Sequence, residues 1–435
     1  MNWKFPRIFW TSNFAELFER AAYYALFITI TLYLTQVVGF NDIWAAWISG
    51  GFSAGLYFLP TISGAVADRI GFRRAIMLAF SLLTIGYFSL GAFPYKSIVI
   101  PSLFVTMCGA ALIKPVLSGT VAKATNKENR ARAYSIFYGI VNIGSFLGKT
   151  FAYPLRIKLG LEAINFFSAA MTLIALILVF FLYRNIEVST AEVKKFREIF
   201  RGMWKLITNP RLILLIIIIT GFWIIQYQLY ATMPKYVLRT VGKTAAPEWI
   251  ANVNPFIVMT CVVLITHLMS KVKAITSITV GMFIMPVSAL CMASSPLLQS
   301  ITGDKVPILG LFTAHPITIM MIIGIIFQGL AECFISPRYL EFFSLQAPKG
   351  EEGVYLGFSY FHSFIASLTG FAISGYLLTA YAPDPTTLTS EQLKTAYDHA
   401  YYIWYYFAAI GLTAAIALVA YNSFFSYKDK QKEKL

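Results

Sequence analysis

Charge is what this sequence has least of. Asp, Glu, Lys and Arg make up 13% of its 435 residues, well under the roughly 25% of an ordinary soluble domain. Hydrophobic residues make up 58%, and the mean hydropathy is +0.67. That balance excludes a soluble globule and describes a polytopic membrane protein. Cysteine is scarce too. Cys108, Cys261, Cys291 and Cys333 all fall in apolar stretches with no ligand spacing; this argues against a disulfide framework or a zinc site and reads them as small packing residues. No small-residue cleavage site closes the apolar run after "MNWKFPRIFW", so no cleaved leader is expected. No nucleophile-base pair or metal cluster recurs, and the soluble segments are too short for a catalytic domain, so an enzyme is not expected. The net charge of +15 comes from basic residues spread through short loops. A nucleic-acid footprint would gather them on one face.

What is present is a series of apolar runs. A helix crossing a bilayer needs about 20 mostly apolar residues, and twelve stretches qualify: 12–38, 44–67, 74–94, 98–122, 132–156, 161–183, 210–238, 250–270, 274–295, 316–345, 353–381 and 400–426. They predict an all-α membrane protein in two six-helix halves, 1–183 and 211–435, the second ending in a short basic tail. The linker 184–210 places Phe196, Ile199, Phe200, Met203, Trp204, Leu206 and Ile207 at helical spacing, with Lys194, Lys195, Arg197, Arg201 and Lys205 around the other side. It reads as a cytoplasmic helix lying in the membrane interface, the alternative being a solvated connector. With the N-terminus inside, loop lysines and arginines are three times as numerous on the inner side as on the outer, which places both termini in the cytoplasm. The outer loops 296–315 and 382–399 carry no functional signal.

Against this apolar background a few charges stand out. In "ELFERAAYY" (16–24), Glu16, Glu19, Arg20, Tyr23 and Tyr24 share one helical face. Each charge at a helix centre costs about 2.5–3.5 kcal/mol on insertion scales, so such residues are read as functional; the alternative is a salt bridge that only fixes packing. Lys114 in the fourth stretch and Glu332 in the tenth come out at the depth of Glu19, roughly 10–14 Å from the cytoplasmic side at about 1.5 Å per residue. Five ionisable groups at one level, drawn from both halves, imply a shared aqueous cavity. In "FYGIVNIGSFLGK", Tyr138, Asn142 and Ser145 fall on one face, and Gly139, Gly144 and Gly148 are available for close helix packing. Tyr138 and Ser145 read equally well as ligand contacts or interhelical hydrogen bonds. Lys149 reads as snorkelling to the outer headgroups. His362 reads as a satisfied core histidine, with a second proton site as the alternative, while His267, His315 and His399 carry no signal.

The loop "GAVADRIGFRR" (64–74) resembles the signature of the major facilitator superfamily. The resemblance implies a conformational motif, here Gly64, Asp68, Arg69, Gly71, Arg73 and Arg74, that holds the cytoplasmic ends of the first half together. A closer resemblance, spread over the chain, is to the proton-coupled oligopeptide transporters (POT/PTR). "ELFERAAYY" is similar to that family's first-helix motif and "FYGIVNIGS" to its fifth-helix motif. Tyr57 before Pro60, Lys114-Pro115, Phe222-Trp223, Asn254-Pro255 and Glu332 with Ser336-Pro337 follow in family order. This resemblance implies that Arg20, Tyr23, Tyr24, Tyr57, Lys114, Asn142, Trp223, Asn254, Glu332 and Ser336 line a substrate cavity. It also implies that Glu16 and Glu19 couple protons with Arg20. Because Lys114 and Glu332 belong to opposite halves, their pairing is expected to act as a gating salt bridge when no substrate is bound. The sequence departs from the family at Phe27 and Tyr227, where many members carry an arginine and a glutamate, and at Ser359, where a tryptophan is usual.

The function that follows is proton-coupled symport of di- or tripeptides, or of similar small zwitterionic solutes, by alternating access. The alternative is a transporter of a non-peptide organic solute or drug. The expected setting is the inner cell membrane and the lipid bilayer, as a multi-pass monomer, with protons as coupling ion, no other cofactor, no metal and no nucleic acid.

Overall fold

Proline and glycine decide where the apolar runs start, break and stop. The computed structural model describes residues 5–125, 129–183, 204, 206–308, 312–346 and 352–432. The chain divides into two compact units, Met1–Phe200 and Arg201–Leu435.

The first unit holds α1 (Arg7–Gln36), α2 (Asp42–Phe58), α3 (Pro60–Ile70), α4 (Phe72–Ala92), α5 (Lys96–Lys123), α6 (Arg130–Leu159) and α7 (Glu162–Leu182). Asn41 caps α2 by accepting the Trp44 N–H at 2.8 Å, the usual service of an N-cap side chain. The expected span 44–67 is two helices rather than one. Pro60 brings no N–H to the helical ladder, so α2 ends at Phe58 and Pro60 opens α3 as its first residue. Gly71, at φ 85°, ends α3 in a conformation that side chains resist and turns the chain into α4.

The packing of α6 on α1 depends on missing side chains. A Cβ at Gly148 would lie 2.3 Å from the carbonyl oxygen of Ala21, and one at Gly144 would lie 2.7 Å from Cβ of Arg20. Glycine lets the two backbones meet there. Gly139 does not share this role, since a Cβ would find open space; the close approach begins only a turn later. Ser168 of α7 donates to the Ala22 carbonyl at 2.8 Å, tying α7 to the same helix.

The second unit holds α8 (Pro210–Gln226), α9 (Gln228–Ala231), α10 (Met233–Thr240), α11 (Pro247–Ile250), α12 (Val253–Leu268), α13 (Ala274–Ala293), α14 (Ser295–Thr302), α15 (Pro316–Gln346), α16 (Glu352–Ser359), α17 (Phe361–Tyr381) and α18 (Tyr402–Lys432). Asn209 caps α8 ahead of Pro210. The expected stretch 210–238 is interrupted at Tyr227 and Thr232, and 353–381 at Tyr360. The chain is not purely helical: in the loop 296–315, β1 (Val306–Ile308) pairs antiparallel with β2 (Phe312–Ala314), with Val306 opposite Ala314.

Ten of the described helical stretches are long and apolar enough to cross a membrane. The other two expected stretches are helical but fall short for separate reasons. One is the pair α2 and α3, of 17 and 11 residues; the other is α6, whose middle carries Asn142, Ser145 and Lys149. The linker expectation for 184–210 lies mostly outside the described residues, including Phe196, Ile199, Phe200 and Met203; within it Trp204 is exposed and Leu206 buried. The four cysteines are free thiols.

Candidate functional site

In the first unit the polar face of α1 closes on itself. Glu16, Glu19 and Arg20 are all buried. Arg20 Nε lies 3.1 Å from Glu16 Oε1, and the guanidinium also grips Glu19 through Nε and Nη2. One planar fork thus serves two carboxylates. Each carboxylate keeps one buried oxygen, Glu16 Oε2 and Glu19 Oε1, with no hydrogen-bond partner among the described residues. The two carboxylates thus offer more acceptor oxygens than Arg20 engages.

Aromatic rings carry the cations around it. Arg20 lies 5.3 Å from the centroid of Tyr23, and Lys114 Nζ lies 4.5 Å from that of Tyr57, both within cation-π range. Tyr23 stacks on Phe27 at 5.1 Å, so the residue standing where many relatives have an arginine is buried aromatic packing. Lys149 corrects the sequence reading. It is 1% exposed, with Nζ 5.3 Å from the Tyr24 ring, on the stretch of α6 that Gly144 and Gly148 bring against α1. On the same helix, Asn142 and Ser145 are buried while Tyr138 is exposed. The Asn142 amide donates to the Tyr138 carbonyl at 2.9 Å.

The residues of the loop motif have separate places. Gly64 packs toward Pro115, 3.6 Å from where its Cβ would stand. Gly71 makes the turn described above. Arg73 Nη2 donates to the Phe180 carbonyl at 2.9 Å, satisfying one of the unpaired carbonyls at the end of α7. Arg69 and Arg74 are exposed. The Asp68 side chain lies outside the described residues.

In the second unit the centre is Glu332 on α15. Its Oε2 accepts from Gln226 Nε2 at 3.0 Å and from Asn254 Nδ2 at 3.3 Å, so α8, α12 and α15 converge on one carboxylate oxygen. Gly329, a turn before Glu332, permits this: its missing Cβ would lie 2.9 Å from Ile257 and 3.4 Å from the Asn254 carbonyl. Gln226 was not among the residues expected from sequence. The only available signal was its spacing, three residues after Trp223 and so on the same helical face.

Trp223 packs against Phe222, Tyr227 and His362, with ring centroids 5.4, 6.2 and 5.1 Å away. Its Nε1 and the Ser336 hydroxyl are buried without hydrogen-bond partners among the described residues. His362 is buried with both ring nitrogens engaged, one by the Ser359 carbonyl and the other by Ser363 Oγ at 3.0 Å, which favours the core reading over a proton site. Ser359 itself is buried, and its carbonyl also accepts from Tyr339 at 2.9 Å. Lys114 belongs to the first unit and Glu332 to the second. Among the described residues no group of three or more His, Cys, Asp or Glu could hold a metal ion.

The model of the Major Facilitator Superfamily matches residues 13–304. The chain is 26% identical to dipeptide and tripeptide permease B of Shigella dysenteriae serotype 1, over 89% of this chain and 90% of that one. It is also 26% identical to the permease of the same name from Salmonella typhimurium, over 90% and 89%. The fold matches the crystal structure of the POT family transporter PepTSo with a TM-score of 0.74 at 18% identity, covering 98% of this chain and 99% of that one. A POT family transporter in complex with 5-aminolevulinic acid matches at 0.72 and 16% identity, over 96% of each. A family model spanning well over half the sequence, with helical neighbours over nearly its full length, leaves one assignment: the chain belongs to the Major Facilitator Superfamily.

Proposed function

We propose that the protein is a proton-coupled symporter that imports di- or tripeptides, or similar small zwitterionic solutes, by alternating access. The observation that carries this is one charged site in each unit. Arg20, held by Glu16 and Glu19, suits a substrate carboxylate. Glu332, held by Gln226 and Asn254, suits a substrate ammonium. The names of the permeases it resembles agree with such a substrate and with transport rather than catalysis.

Protonation of Glu16 and Glu19 weakens their hold on Arg20, which then takes the substrate carboxylate in a bidentate pair. Proton loss on the cytoplasmic side lets them recapture it and release the substrate. Tyr23, Tyr24, Tyr57, Lys114, Asn142, Trp223, Asn254 and Ser336 complete the proposed lining. A pairing of Lys114 with Glu332 in the empty carrier is part of the same proposal. So are twelve crossings with both termini cytoplasmic, division at the 184–210 linker, a monomer in the inner membrane, and protons as the only coupling species.

The test is uptake of labelled dialanine into proteoliposomes under an imposed inward proton gradient. Accumulation that collapses with a protonophore supports the reading, and none with any short peptide overturns it. Phe27 and Tyr227 favour a second reading, transport of a non-peptide zwitterion, since both positions are packed aromatic residues. Thermal stabilisation by a peptide panel set against non-peptide amino acids separates the two.

A further inference from the structure

Glu332 fixes which way round the Gln226 amide stands. An ionised carboxylate only accepts hydrogen bonds, so the amide presents its Nε2 to Glu332 Oε2 at 3.0 Å and turns its carbonyl away. Gln226 is 6% exposed, and that carbonyl, Oε1, has no hydrogen-bond partner among the described residues. A buried acceptor left so is costly, and evolution has a cheaper residue for packing alone. Two more unpartnered polar groups stand on the same helices: Trp223 Nε1, three residues earlier on α8, and Ser336 Oγ, four residues after Glu332 on α15.

We propose that Gln226 is a specificity-determining residue that reads the amino end of the substrate. It rests on the peptide-transport reading above and deepens it. Nε2 anchors Glu332, and Oε1 accepts one N–H of the bound amino group. A primary ammonium carries three N–H donors pointing in different directions, and a single carboxylate cannot accept all of them. Gln226 supplies a neutral acceptor on the same side chain that anchors the charge. The pair therefore selects for N–H donors as well as for positive charge, which a lone glutamate does not.

Gln226→Met tests this, as it keeps the volume and removes both the donor and the acceptor of the amide. Uptake of labelled dialanine into proteoliposomes is competed by unlabelled dialanine, by its N-acetyl form, which lacks the charge, and by its N,N,N-trimethyl form, which keeps the charge and lacks every N–H. Wild type is expected to prefer the primary ammonium over both. In Gln226→Met, competition by dialanine should weaken about tenfold or more, competition by the trimethyl form should change little, and the discrimination between them should shrink accordingly. Equal weakening toward both charged forms means that Gln226 only holds Glu332, and overturns the proposal, as does an unchanged ratio. Gln226→Leu serves the same comparison if the methionine variant does not fold. Wild-type protein that takes up no dialanine overturns the peptide reading itself, and this inference with it.

Discussion

At the scale of single residues, Arg20 is the point of greatest consequence. It pairs with two buried carboxylates at once, and breaking a buried pair by removing one partner costs about 3–5 kcal/mol. Arg20→Leu is therefore expected to lower the stability of the purified protein by about that amount, read as a large drop in thermal midpoint in detergent. Adding Glu19→Gln to that variant should restore part of the loss, because it removes one of the two stranded charges. A double mutant no more stable than Arg20→Leu would show that Glu19 finds other compensation. Glu19→Gln alone leaves Arg20 paired with Glu16, so it should fold while uptake no longer follows the imposed pH gradient. Uptake that still follows the gradient removes Glu19 from the coupling.

At the scale of elements, the contact of α1 with α6 makes a sharper prediction than any apolar count. Gly148→Ala pushes a methyl group into the Ala21 carbonyl and should destabilise by about 1–3 kcal/mol. Gly139→Ala on the same helix meets open space and should be neutral or stabilise by up to about 1 kcal/mol through helix propensity. Thermal unfolding of the two variants side by side checks the contrast. The start of α15 offers a test by pH. The Ile317 N–H donates to His315 Nδ1 at 3.2 Å, a bond that needs the neutral ring. Burial lowers the His315 pKa below its ordinary 6.5, while Asp304 opposes the shift. The unfolded chain then binds the proton first, so this cap contributes fully above the unfolded value and is lost as pH falls through the folded one. Wild type should exceed His315→Ala in stability by about 1 kcal/mol at neutral pH, and the gap should close on acidification.

At the scale of the whole molecule, a simple measurement checks the topology. An even number of crossings places both termini on one side, so reporter fusions at each end should both be active in the cytoplasm. Opposite results at the two ends would mean an odd count. Much of the fold is legible in the sequence because membrane helices announce themselves by length and apolarity, and ten of the expected stretches satisfy both. The break at Pro60 was visible as a proline, but nothing in the sequence decided whether it would bend or end the helix. At the site, the "ELFERAAYY" face was legible because charge in an apolar run is costly. Gln226 was not, because an uncharged amide stands out little and its partner lies 106 residues away. Lys149 departs from its sequence expectation for a related reason. Snorkelling is a property of one helix, whereas its burial comes from the neighbour that two glycines admit.

That burial also bears on how the protein is made. On the twelve-crossing proposal α6 must enter the bilayer although Asn142, Ser145 and Lys149 leave it outside the ten apolar helices. The translocon partitions segments by apolarity, and a lysine is among the residues it retains least readily in lipid. α6 on its own should therefore be a poor inserter. α1, already synthesised and carrying Tyr24 and the backbone that Gly144 and Gly148 touch, offers a ready berth. Biogenesis of the first unit would then depend on the earliest helix waiting beside the translocon until the sixth arrives.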